Sequence, residues 1–541
     1  MPLVIPTRKA PASDSFPTSP EGVQRWLQEI QPLNSGKNQR TLYRGLRHSN
    51  RLENNNRNRV DVLKLLEPAV DQVLDELAAL YFEQPLPLPR KPLNAHQLAS
   101  GLLRELSYAW KIVVHDTYSS LLGGQTGLRS VSIFHAMRVL GKTILHHSLV
   151  YAPVPPGLLQ DANTLYNMAE ESNLHNLPIE IDNPHAEGIE TWTIRQAYVH
   201  VQLMSLASLQ THRRRQIPLL SDFLESISEQ VELTQPKPTY PQHEKWLAVH
   251  IEQDTPAQHY NQYAPESRKY LRAFNLGEIM VQIHRAERLA PDSLAWEMES
   301  SVLRRNTLRN LSLQLVDATA RQHQRMICKQ SVEAKAGLKE IHALLVHETP
   351  KQGGSNFPLM RLSVEQWHVI NRSDNGMCLQ WTGGRSSEVQ VGELVSVVEQ
   401  QVDSALSSTI NGVDPDQQAS NQAVTIGTVV WISYEQDDQL LCGVELLANR
   451  AAAVLVEGTT SNTRGSKLEC LLCLDQQTIT EEQTSSRAAL RGRTLIAPPH
   501  SFQESGSVRM HHQGETSDWL IKSRKRAAGG FDFFELSPRS M

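Results

Sequence analysis

Two short segments carry residue types able to grip a polar, anionic ligand: Arg321-Gln-His-Gln-Arg325, of the form RxxxR, and Asn371-Arg-Ser-Asp-Asn-Gly376, of the form Asp/Asn-x-Ser-x-x-Gly. An arginine fork holds phosphate oxygens, or the O6/N7 edge of guanine, through paired charge-assisted hydrogen bonds that lysine does not reproduce. Two arginines on an irregular lead-in can wrap one ligand. Asn371 and Ser373 lie two apart, so on an extended strand end an amide and a hydroxyl project to one face. Gly376 is read as the residue that takes a positive φ and turns the chain beside the site. RxxxR carries little weight alone, because Arg40/Arg44, Arg47/Arg51, Arg268/Arg272, Arg305/Arg309 and Arg487/Arg491 share its spacing. Arg305 and Arg309 are read as a helix surface with no ligand contact. A bland alternative stands beside the binding reading: a solvated last helical turn at Arg321 and Arg325, and a polar hairpin whose Asn-Gly is simply a turn signal.

The elements that must position these residues follow from periodicity. Apolar residues recur at steps of three and four in Val70, Val73, Leu74, Leu77 and Leu80, in Leu98, Leu102, Leu106 and Ala109, in Ile133, Phe134, Met137, Leu140, Ile144 and Leu145, and in Ile194, Ala197, Val201, Met204 and Leu209. Each stripe needs another helix to cover it, which predicts an all-α bundle or irregular solenoid over 60–319, interrupted by Pro-rich residues 235–265, where Trp246–His250 is extended. The period then changes to that of strands at 331–338, 365–370, 427–432 and 440–446, between Gly, Asn and Asp turns. A β-barrel is placed at 320–457, with two surface inserts near 347–354 and 411–422. Residues 458–541 form a small C-terminal β extension. Residues 1–59 are read as a disordered or partly ordered basic segment, its arginines between 40 and 59 a solvated face.

Composition narrows the function. A chain of 541 residues with 40% apolar and 21% charged residues is that of a soluble multidomain protein, and a formal charge of −5 offers no global attraction for nucleic acid. No run of about 18 apolar residues predicts a membrane span. Five scattered cysteines make no disulfide framework and fit a reducing cytosol. Cys470 and Cys473 are read as parts of an apolar strand rather than metal ligands. The sequence lacks GxxxxGK(S/T), GxGxxG before a helix and HExxH, and the adjacent pairs His146-His147 and His511-His512 diverge on any regular backbone, so the chain is read as not an enzyme.

With both motifs in order, the strand Met377-Cys-Leu379, the Gly-acid turn Val391-Gly-Glu-Leu-Val395, Gly427-Thr-Val-Val-Trp431 and Gly443-Val-Glu-Leu-Leu447 following, the sequence resembles the PilZ family of cyclic di-GMP receptors over about a quarter of the chain. The resemblance implies cyclic di-GMP as ligand, no cofactor or metal, and Arg321, Arg325, Asn371, Ser373 and Gly376 as the binding residues. It implies a cytoplasmic, non-spanning protein whose ligand, at the junction of helices and barrel, alters the surface offered to a protein partner. Family members act in surface attachment, motility and polysaccharide output, and the long helical front is similar to that of a receptor associated with type IV pili. The alternative is a scaffold whose barrel has lost its ligand.

Overall fold

The computed structural model describes residues 3–118, 125–182, 189–235, 246–288, 301–316, 326–348, 365–383, 387, 389–399, 424–434, 439–458, 465–474, 494–527 and 530–538. The chain opens with helices α1 (Pro20–Glu29), α2 (Gly36–Ser49), α3 (Asn56–Tyr81), α4 (Arg90–Tyr118), α5 (Thr126–Ser148) and α6 (Leu158–Glu171). A hairpin, β1 (Ile179–Asp182) and β2 (Ile189–Trp192), leads into α7 (Ile194–Leu206) and α8 (Gln216–Ser228). Polar caps start α1, α2 and α3 where the first-turn N–H groups would otherwise go unmet: Ser19, Ser35 and Asn55 each accept from a backbone N–H three residues on. Thr193 and Gln196 close a reciprocal box at α7. The apolar stripes of α3, α4, α5 and α7 merge in one core, while Leu80 at the end of the first stripe remains 37% exposed.

The basic N-terminal segment, read as disordered or partly ordered, carries α1, α2 and the start of α3. The arginines of α2 occupy one exposed face, Arg40, Arg44 and Arg47, while Leu42 and Leu46 on the other are fully buried. A Cβ on Gly45 would fall 2.4 Å from the Trp26 ring, so the indole of α1 lies against α2 at this glycine. Arg51 pairs with the buried Glu105 at 2.9 Å, and the buried Arg59 donates to the Ser49 and Leu52 carbonyls.

Strands also interrupt the second half of the region predicted as all-α. β3 (Trp246–His250) lies between β4 (Gln258–His259) and β5 (Leu271–Asn275), and two helices follow, α9 (Leu276–Arg288) and α10 (Ser301–Val316). The segment from Ser267 was expected to be helical. Instead Leu271, Arg272, Ala273 and Phe274 are all buried, and Arg272 donates to Glu170 from its Nε at 2.7 Å. Burial of both faces erases the alternation that marks a strand.

The β-rich half is two closed barrels. In the first, β6 (Met326–Ala336), helix α11 (Leu338–Glu348), β7 (Glu365–Ser373), β8 (Gly376–Trp381), β9 (Leu394–Glu399), β10 (Val424–Tyr434) and β11 (Leu440–Ala448) close with strand order β10-β11-β8-β7-β6-β9. The second comprises β12 (Ala451–Gly458), β13 (Lys467–Cys473), β14 (Thr494–Ala497), β15 (Ser507–His512), β16 (Glu515–Ala527) and β17 (Asp532–Pro538), ordered β12-β13-β14-β17-β16-β15. The sequence reading placed 451–457 in the first barrel and a small extension after it. The backbone of β12 is hydrogen-bonded to β13 and β15, and Val454 and Val456 enter the second core. Closure leaves neither barrel an open edge. Cys470 sits in that core, and Cys473, on the opposite face of the same strand, sits in a cluster between the barrels. Most of the two inserts, 349–354 and 411–422, lies outside the described residues.

The bodies are joined. The inter-barrel cluster packs Leu338 and Ile341 of α11 with Leu394, Val424 and Ile426 of the first barrel and Leu471, Ile496 and Phe531 of the second. The helices meet the first barrel through backbone contacts: Leu86 N–H to the Ser387 carbonyl at 3.1 Å, and Tyr434 N–H to the Tyr151 carbonyl at 2.9 Å. Arg213 Nε adds a bond to the Val391 carbonyl at 3.0 Å.

Candidate functional site

The serine motif forms the β7–β8 hairpin. Trp367 and Val369 point into the barrel core, and strict alternation would send Asn371 and Ser373 inward as well. A bulge between Val369 and Asn371 shifts the phase. Asn371 then sits opposite Cys378, the outward residue between the core residues Met377 and Leu379, and Ser373 sits opposite Gly376. Both motif residues therefore lie on the outer face, half-buried, with Asp374 and Asn375 exposed at the tip.

Across the neighbouring strands this face is floored by glycines. The row from Asn371 continues through Cys378 and Gly443 to Trp431, and the row from Ser373 through Gly376 and Glu445 to Thr428. A Cβ on Gly443 would lie 1.9 Å from Trp431 Nε1, so the indole lies across that glycine. Gly376 is required for a different reason from the one expected. It is absent from the residues with positive φ, and a Cβ there would come 2.7 Å from the Val444 carbonyl oxygen. Close approach of β11, rather than a sharp turn, demands the missing side chain. The Ser373 hydroxyl donates to the Gly376 carbonyl at 3.3 Å, and the Leu446 N–H donates to the Asn375 carbonyl at 2.9 Å, pinning the hairpin to β11. The Gly-acid turn does take a positive φ, 75° at Gly392.

Arg321 and Arg325 lie outside the described residues. Met326, the covalent neighbour of Arg325, begins β6 opposite Arg372, and Ile327 follows opposite Asn371. Met326 is 72% exposed and Ile327 87% exposed, which leaves two apolar side chains in water beside the motif. One of the other RxxxR pairs has a different role: Arg272 is spent on Glu170, and Arg268 lies over the Tyr260 ring.

The histidines are structural in their contacts. His146 bonds the Tyr81 hydroxyl, and His147 Nδ1 donates to the Pro153 carbonyl at 2.9 Å, so the pair diverges as expected on a helix. Burial pushes His96 down to about 3 and His146 to about 4, keeping both neutral. A larger cavity, about 860 Å³, lies between α4 and the Pro153–Gly157 loop with Tyr434 of β10 at its rim; Asn371, Ser373 and Gly376 do not line it. Among the described residues no group of three or more His, Cys, Asp or Glu side chains is placed to hold a metal, and no helix is long and apolar enough to cross a membrane.

The sequence is similar to that of a known protein and family. Residues 21–239 match the family model described as the N-terminal domain of the cyclic-di-GMP receptor FimW. Over 601 aligned residues the chain is 22% identical to the protein named Cyclic-di-GMP receptor FimW of Pseudomonas aeruginosa, with 98% of this chain and 93% of that protein covered. Similarity therefore runs through the helices and both barrels.

Proposed function

We propose that this chain is a non-enzymatic receptor for cyclic di-GMP, that its first barrel is of the PilZ type, and that Arg321, Arg325, Asn371, Ser373 and Gly376 surround the ligand. The observation that carries this reading is the bulge in β7, which turns an amide and a hydroxyl to the outer face beside the strand that starts immediately after Arg325. A dinucleotide with two phosphodiesters and two guanines needs arginine forks and a polar edge reader on one open face. Whole-length similarity to a protein named as a receptor for that ligand supports the choice. Binding at the junction would bias how the helices sit on the barrel and so the surface shown to a protein partner, in the cytoplasm, in surface attachment, pilus or biofilm control.

The bond from Ser373 to Gly376 favours a second reading, since a serine that serves its own hairpin needs no ligand. In that reading the barrel is a docking module of a scaffold. Calorimetric titration with cyclic di-GMP separates the two. Binding in the micromolar range or tighter is expected, and Arg321→Ala or Arg325→Ala should remove charge-assisted hydrogen bonds of about 1.5–3 kcal/mol, a loss of roughly ten- to a hundredfold in affinity. A wild-type chain that binds nothing makes it a scaffold.

A further inference from the structure

A second cavity, about 420 Å³, opens beside the hairpin where α10, the first barrel and β16 of the second barrel meet. We propose that it receives the anionic sugar-phosphate backbone of the same cyclic dinucleotide, with Arg309 and Arg526 as binding residues, so that the ligand clamps α10 and the second barrel onto the first. This rests on the reading of the ligand given above.

Position comes first. Ser373, Gly376, Glu445 and Thr428 are successive partners in one row across four strands, and the last two line the cavity. Two strand spacings, about 10 Å, separate the motif serine from the cavity wall. One ligand on this face reaches both.

Charge points the same way. In a chain of formal charge −5, the cavity is lined, among the described residues, by four cationic side chains, Arg213, Arg309, Lys525 and Arg526, against the single carboxylate of Glu445. His212, also on the wall, is neutral because burial pushes it down to about 4. Such a concentration of like charge within a cavity calls for an anion.

The cations differ in availability. Arg213 is committed through Nε to the Val391 carbonyl, and Lys525 pairs with Glu535 at 2.6 Å. Arg309 is exposed and has no hydrogen-bond or ion-pair partner among the described residues. Arg526 pairs with Glu445 at 2.7 Å, but the two side chains are 37% and 40% exposed, and pairs so open to water hold weakly. A phosphodiester offering two oxygens to a guanidinium fork displaces such a partner. The chain links the parts in order: α10 carries Arg309 and runs toward the segment of Arg321 and Arg325, so both arginine pairs belong to one stretch leading into β6.

The test is calorimetric titration of the full chain with cyclic di-GMP, with the thermal midpoint of each unliganded variant as a folding check. Arg309→Ala and Arg526→Ala should each weaken binding tenfold or more, while Arg305→Ala, on the same helix but off the cavity, should leave it unchanged. Glu445→Gln should tighten binding, because it frees Arg526 and removes the only carboxylate. If Arg526 merely fixed the barrels through its ion pair, Glu445→Gln would weaken binding as Arg526→Ala does, and the proposal fails. It fails equally if the wild type binds and Arg309→Ala and Arg526→Ala both stay within twofold of it. A wild type that does not bind overturns the receptor reading itself, an outcome distinct from either.

Discussion

Gly376 shows how a residue singled out from sequence for one reason can be held to glycine for another. The motif pointed to Gly376, but the contact that requires it is with Val444 on another strand, and spacing along the chain carries no record of that approach. Gly376→Ala should therefore destabilise the protein by about 1–3 kcal/mol, the range for overpacking, because the opposing atom is a backbone oxygen that cannot rotate away. Gly36→Ala, at a position with open space within 4 Å, should be neutral or slightly stabilising. Urea midpoints of the two variants against wild type check the contrast, and equal midpoints would refute it. The buried histidines give a second prediction. His96 and His146 lie near 3 and 4, below their ordinary 6.5, so between those values the unfolded chain takes up protons that the folded chain refuses. Stability is then full above about pH 6.5 and declines as pH falls toward 4, by up to about 1.4 kcal/mol per pH unit for each histidine. Denaturation of the wild type at pH 7 and pH 5 should show the drop, and His146→Gln should make it smaller by that histidine's share.

Helices with strong stripes were legible, and α3, α4, α5 and α7 lie where the periodicity put them. What escaped were elements whose apolar pattern is short or masked. α2 docks through a narrow strip of Gln39, Leu42, Gly45 and Leu46, and β5 is buried on both faces with an arginine inside. The bulge in β7 also left no mark in the sequence, although it sets the direction of both candidate site residues. Because α1 and α2 pack on α3 and α4, a fragment of 60–316 loses a covering layer and should melt at a lower temperature than one of 3–316. Circular dichroism on the two fragments measures it; coincident melts would mean that the N-terminal helices contribute nothing. Helix α11 has a comparable role between the barrels. Ile341, fully buried there, should cost about 2–5 kcal/mol when cut to alanine, read as a lower denaturation midpoint of the full chain.

At the scale of the whole molecule, the division into a helical front and a β-rich back was visible in the change of period. The seam between the barrels was not visible. β11 ends at Ala448 and β12 begins at Ala451, so strand follows strand without the Pro- or Gly-rich linker that marks a domain boundary. The arginine pairs show the same limit, for nothing in RxxxR distinguishes Arg272, spent on Glu170, from Arg309, which lines a cavity. The apolar cluster between the barrels predicts that a chain cut after residue 448 exposes Leu394, Val424 and Ile426 and aggregates during purification; a soluble, monomeric product would contradict it.

That cluster also fixes an order of events during synthesis. It joins Leu338 to Phe531, so the first barrel has no complete partner surface until nearly the last strand has left the ribosome. The helical region is free to fold early, as N-terminal units generally do. For the time needed to translate the second barrel, the first must wait with an apolar flank uncovered, and chaperone dependence in the cell belongs to that interval.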